Sequence, residues 1–212
     1  MIFVKAAIVS VAGMLVGMGI AALQPGVEDK PLRMVVERGD GYVELYFSTP
    51  ASTLADLFGL PPQSLAGPDG TVNFDRLRLG TANIGDQLFE DVVSRAGGAQ
   101  IDFEAMSLMV HPIDDTLPLN DPVDGVLAIS VCNAEDPEAP LGLSGLQAYS
   151  GFFASTANHA ETISLTLPNA SGRTWTVLVR DHVNGDFQSE YVVSISKDGR
   201  LSLPANRMPA AS

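Results

Sequence analysis

A single cysteine, Cys132, stands in the 212 residues, so no disulfide can close within the chain. That argues against a small extracellular disulfide scaffold and leaves export from a bacterial cell open. Lysine is nearly as scarce, with Lys5, Lys30 and Lys197 the three present. Twelve basic residues face 25 acidic ones, for a formal net charge of −13. A surface this short of cations repels phosphate backbones and anionic headgroups, so nucleic acid is not an expected partner. The motifs of common chemistries are also missing. The chain has no Gly-x-x-x-x-Gly-Lys-Ser/Thr loop, no Gly-x-Gly-x-x-Gly after a strand, no His-Glu-x-x-His and no Cys-x-x-Cys. Gly142-Leu143-Ser144-Gly145 lacks the spacing of a nucleophile elbow. We therefore expect no cofactor and no enzyme.

What is present begins with a segment free of charge. Ala6 through Leu23 carries none, and Gln24-Pro25-Gly26 ends it. Its length is at the lower edge of the roughly 20 residues that span a hydrocarbon core. Residues 1–24 are read as a membrane anchor or a signal peptide. As an anchor, Lys5 stays inside and the rest emerges on the far side, giving a single-pass protein of a bacterial inner membrane with a periplasmic domain. As a signal, Gly19 and Ala21 offer a cleavage site, and the product is a soluble periplasmic or secreted protein. A buried core helix is the third reading. Gly13, Gly17 and Ala21 share one helix face, which would let a second span approach closely. The expected partners are thus the membrane and a membrane protein complex or a second copy of the chain.

Residues 25–203 read as one exported domain, with a possible sub-boundary near 133–142 and a flexible tail at 204–212. Twenty Gly and 14 Pro favour short strands and turns. Leu32 to Glu37 and Tyr42 to Ser48 form a hairpin around Arg38-Gly39-Asp40-Gly41. In its second strand Val43, Leu45 and Phe47 face one way, and Tyr42, Glu44 and Tyr46 the other. Thr49-Pro50 opens a short helix that Gly59 ends. Phe74 to Leu79 suggests a turn of helix, and Asn83 to Arg95 a longer one. Ile101 to Val110 and Val126 to Cys132 are strand candidates, separated by a loop from Pro112 to Gly125. Leu146 to Ala154 is apolar and aromatic. Ile163, Leu165 and Leu167, then Trp175, Val177 and Val179, then Tyr191, Val193 and Ile195 alternate with polar residues. Asn184-Gly185 and Asp198-Gly199 are turns. The expected fold is mostly β or α+β, an antiparallel sheet or sandwich-like soluble domain with one or two short helices. This layout resembles that of exported accessory domains found beside bacterial metal permeases; the resemblance rests on layout alone and carries no residues.

Two groups of residues suggest sites. Met109 and His111 share a strand face, and Cys132 lies on the next expected strand. Thioether, imidazole and thiolate suit copper, so these three are the metal candidates. Asp114, Asp115, Asn120, Asp121 and Asp124 cluster as calcium ligands would, but Pro122 and Val131 occupy ligand positions of an EF-hand loop. Tyr42, Tyr46, Phe152 and Phe153 are candidate contact aromatics. The leading expectation is a membrane-anchored periplasmic accessory or assembly protein acting by protein contacts. A periplasmic copper-binding protein and a secreted hydrolase are the alternatives.

Overall fold

Alternating apolar residues in the first two strands feed two separate cores. Strand β1 (Leu32–Gly39) and strand β2 (Tyr42–Pro50) pair antiparallel around Asp40 and Gly41. Leu32, Met34, Val36, Val43, Leu45 and Phe47 enter the larger core, whereas Val35 and Tyr46 enter a smaller one on the opposite face. Gly41 sits at φ 85°, a conformation that costs glycine nothing and other residues a steric penalty.

The computed structural model describes residues 32–61, 64–72, 84, 87–131, 141–156 and 161–206. The N-terminal segment with Gly13, Gly17 and Ala21, the helical turn expected at 74–79, Cys132 and residues 207–212 lie outside these. Among the described residues, no helix is long and apolar enough to cross a membrane.

The protein is mostly β, with two sheets and few short helices. The remaining strands are β3 (Val93–Ala96), β4 (Ala99–Ile101), β5 (Glu104–Pro112), β6 (Leu146–Ser155), β7 (Ile163–Thr166), β8 (Trp175–Val183), β9 (Asp186–Ile195) and β10 (Arg200–Leu203). A six-stranded sheet has the order β5-β6-β2-β1-β8-β9, and a four-stranded sheet the order β10-β7-β3-β4. The larger sheet takes β1, β2 and β5 from before residues 133–142 and β6, β8 and β9 from after them. Its pairings are antiparallel except β1 with β8, which run parallel. Parallel neighbours need a long crossover, so no local turn signal reports them.

Helix α1 (Ala51–Phe58) and the smaller sheet close the larger core. Leu54, Leu57 and Phe58 pack with Ile163, Leu165, Leu201 and Leu203 in one cluster. Phe152 lies at its centre, 4.0 Å from the Phe89 ring and 6.0 Å from that of Phe47. Gly59 ends α1 in the left-handed region at φ 68°, as expected. Thr49 does not cap the helix; its hydroxyl donates to the Pro50 carbonyl at 3.1 Å.

Four expectations for the middle of the chain are corrected. Val126 to Ser130 is not a strand but part of helix α2 (Pro122–Ser130). The Asp121 carboxylate accepts from the Asp124 backbone N–H at 2.8 Å, and Pro122 supplies the preset φ of a first helical turn. Gly125, Ala128 and Ile129 are its buried residues, at helical spacing. The helix expected over 83–95 is shorter: Ile84 and residues 87–90 are helical, and Val93–Ala96 is β3. The single strand expected from Ile101 to Val110 is two, β4 and β5, and the expected loop from Pro112 holds a short 3-10 turn, Ile113–Asp115, before α2 begins.

Candidate functional site

Helix α2 is seated by two glycines. A Cβ on Gly125 would lie 2.5 Å from Cγ of Tyr46, and a Cβ on Gly151 of β6 would lie 2.5 Å from Cδ1 of Ile129. Both bare backbones let helix and sheet approach, and the helix lies across β5, β6, β2 and β1. Beneath it Val35, Tyr46, Leu119, Ala128, Ile129 and Tyr149 form the smaller core. At its N-terminal end, Arg33 donates to the Leu119 carbonyl and the Asn120 side chain, and Arg180 to the same Asn120 amide oxygen.

The other side of α2 is apolar and bare. Val123 is 66% exposed, Val126 44%, Leu127 51% and Val131, just past the last turn, 39%. Three large apolar side chains on the outward side of this nine-residue helix, with Val131 just beyond it, form an exposed ridge. An exposed apolar ridge of this kind is a candidate contact surface. Neither its helix nor its exposure was anticipated. The signal that could have found it is Asp121-Pro122-Val123-Asp124, a cap, a first-turn proline and a second cap, with the Asp124 carboxylate accepting in turn from Asn120 N–H at 2.9 Å.

Beyond the helix, the same sheet face carries a row of acids. Register pairs Glu104 of β5 with Phe153 of β6, Phe153 with Glu44 of β2, Glu44 with Glu37 of β1, and Glu37 with His182 of β8. Glu44 accepts from the Tyr46 hydroxyl at 2.7 Å. Glu37 is 3% exposed; its Oε1 accepts from Gly185 N–H at 2.9 Å, and Oε2 has no hydrogen-bond partner. Burial raises the Glu37 pKa, against the opposing pull of the Gly185 N–H and of nearby His182. His182 points its ring nitrogens at the carbonyls of Asn120 and Gly185, 3.3 and 3.4 Å away.

On the opposite face a buried charge is fully matched. Arg38 grips Asp181 with two nitrogens, at 2.9 and 3.0 Å, and donates to the Glu161 and Pro204 carbonyls at 2.8 and 3.0 Å. The Tyr191 hydroxyl donates to Asp181 at 3.0 Å. A cleft of about 420 Å³ opens beside Asp181, Ser189, Tyr191 and Asn206. The Asp181 oxygens are already engaged, which suits a structural tie better than acid–base work. Asp181 and His182 point to opposite faces, so they do not form a pair.

The candidate residues fall in different places. His111 is fully buried, its ring edge-on to Tyr149 at 5.3 Å and its Nε2 3.3 Å from the Ala128 carbonyl of α2. Burial lowers its pKa, which favours the neutral ring donating from Nε2. Met109 is half-buried on the same strand, and Cys132 lies outside the described residues. No group of three or more His, Cys, Asp or Glu side chains among the described residues could hold a metal ion. Asp121 and Asp124 spend oxygens on capping α2. Tyr46 and Phe152 are buried, at 1% and 0% exposure, so in the free protein they serve the two cores. Tyr42 and Phe153 are half-buried and stack at 5.9 Å beside the glutamate row.

No known protein-family model matches the sequence, and no curated protein matches it significantly.

Proposed function

We propose that this chain is a membrane-anchored, exported accessory or assembly protein that acts through protein–protein contacts, with α2 as its contact surface. The uncharged run from Ala6 to Leu23 supports the anchor and the periplasmic placement of the β-rich domain. The observation that carries the contact reading is the exposed ridge of Val123, Val126, Leu127 and Val131. Covering these side chains removes apolar area from water, which is favourable by roughly 25 cal/mol per Å². That driving force is available to a partner that covers the ridge.

The test is affinity capture of the full chain from solubilised membranes, beside a Val126→Ser/Leu127→Ser variant. A protein retained by the natural chain and lost with the variant is the expected result. Identical capture by both chains would count against α2 as the contact surface.

A further inference from the structure

The partner's chemistry can be read from what surrounds the ridge. Between Arg95 and Arg173 the chain contains no lysine or arginine. That stretch supplies α2, the turn before it with exposed Asp114 and Asp115, and strands β5 and β6 beneath it. On the same sheet face Glu104, Glu44 and Glu37 line up across β5, β2 and β1, with Phe153 between the first two. Within this row Glu37 keeps one carboxylate oxygen unpartnered at 3% exposure. Among the described residues, Arg33 and Arg180 stand at the N-terminal end of α2 and are already bonded to Asn120.

We infer that the α2 ridge and the adjoining glutamate row receive a basic amphipathic segment of a protein partner. Its apolar side covers Val126 and Leu127, and its lysines or arginines face Glu44 and Glu104. The charge pattern decides against the other two occupants. A second copy would bring one acidic rim against another, and an anionic bilayer would be repelled by a chain of net charge −13. This inference rests on the contact reading of α2 given above and adds the chemistry of what binds there.

The experiment uses the full chain in zwitterionic phosphatidylcholine nanodiscs, with empty nanodiscs as background. The probe is a labelled amphipathic Leu/Lys peptide followed by fluorescence anisotropy. A Leu/Glu peptide of the same pattern and a scrambled Leu/Lys peptide are the controls. The Leu/Lys peptide is expected to bind in preference to both. Its affinity should fall about tenfold or more in Val126→Ser/Leu127→Ser, and comparably in Glu44→Gln/Glu104→Gln, and should weaken as salt shortens the screening length below about 10 Å. Circular dichroism confirms that each variant folds, and the single variant Glu104→Gln, at an exposed site, keeps the charge arm readable if the double variant does not. Equal binding of the Leu/Glu or scrambled peptide, or binding indifferent to either pair of substitutions, overturns the inference. So does ridge-dependent self-association in sedimentation, or ridge-dependent flotation with phosphatidylglycerol vesicles; either would leave α2 standing as a contact surface with a different occupant. Capture from membranes that ignores Val126→Ser/Leu127→Ser would remove the contact reading itself, and this inference with it.

Discussion

The two faces of the six-stranded sheet treat charge and apolar surface in opposite ways. Toward the smaller sheet and α1, the buried Arg38–Asp181 ion pair is satisfied on every side: Arg38 has Asp181 and two carbonyls, and Asp181 has Arg38 and Tyr191. Toward α2, Glu37 is buried with an oxygen left over, and large aliphatic side chains stand in solvent on the helix. A face that matches its buried charges internally, even with Ser150 Oγ on it left without a partner, has stability to offer and little charge left to bind with. A face with unmatched groups gives up some stability and keeps the means of recognition. The contrast is visible in adjacent residues of β1, since Arg38 and Glu37 point to the two sides.

Breaking the satisfied face should cost most. Asp181→Leu leaves the Arg38 guanidinium buried without its counter-ion, and urea unfolding should show a loss of about 3–5 kcal/mol. Phe152→Ala, at the centre of the aromatic cluster, should cost a similar amount, about 3–5 kcal/mol. On the α2 face the effects should be smaller and local. Gly125→Ala drives a methyl into the Tyr46 ring and should destabilise by about 1–3 kcal/mol. Hydrogen exchange should then rise in α2 before it rises in β1 and β2.

Titration separates the faces further. His111 is held below its ordinary value of 6.5 by burial, so folding excludes its proton. Its contribution is therefore present above pH 6.5 and is lost as the pH falls from there toward the folded value. Glu37 is held above 4.5, so folding favours its protonated form, and its contribution declines as the pH rises from 4.5 toward the folded value. His111→Asn should flatten the loss of stability between about pH 7 and 5, and Glu37→Gln the opposing slope at lower pH, each measured by urea midpoints across pH. The smallest stability change is expected from Val126→Ser/Leu127→Ser, within about 0.5 kcal/mol because both side chains are exposed. That pair should nonetheless have the largest effect on binding.

Local pattern carried the strands that return through tight turns. Alternation at Val43, Leu45 and Phe47, and again at Ile163, Leu165 and Leu167, gave the inward faces correctly, as did the turns at Asp40-Gly41 and Asn184-Gly185. The apolar run from Val126 to Val131 did not declare its period. Such a run reads equally as a buried strand or a short helix, and the arbiter was the Asp121-Pro122-x-Asp124 cap. Alternation also placed Tyr46 opposite Leu45 without revealing that α2 covers it, because strand period tells which residues share a face and nothing of what packs there. The Arg38–Asp181 tie and the glutamate row join residues far apart in the chain through register, and the parallel β1–β8 pairing has no signature nearby. The candidate site was hidden for that reason.

Site-specific crosslinking tests the contact role of α2 most directly. A photoreactive phenylalanine analogue replaces Leu127 in the full chain expressed in its native membrane, and in a second chain it replaces Asp198 in the exposed turn before β10. The account predicts a discrete protein adduct on irradiation at position 127 and none at 198. No adduct at 127, or the same products from both positions, would contradict it.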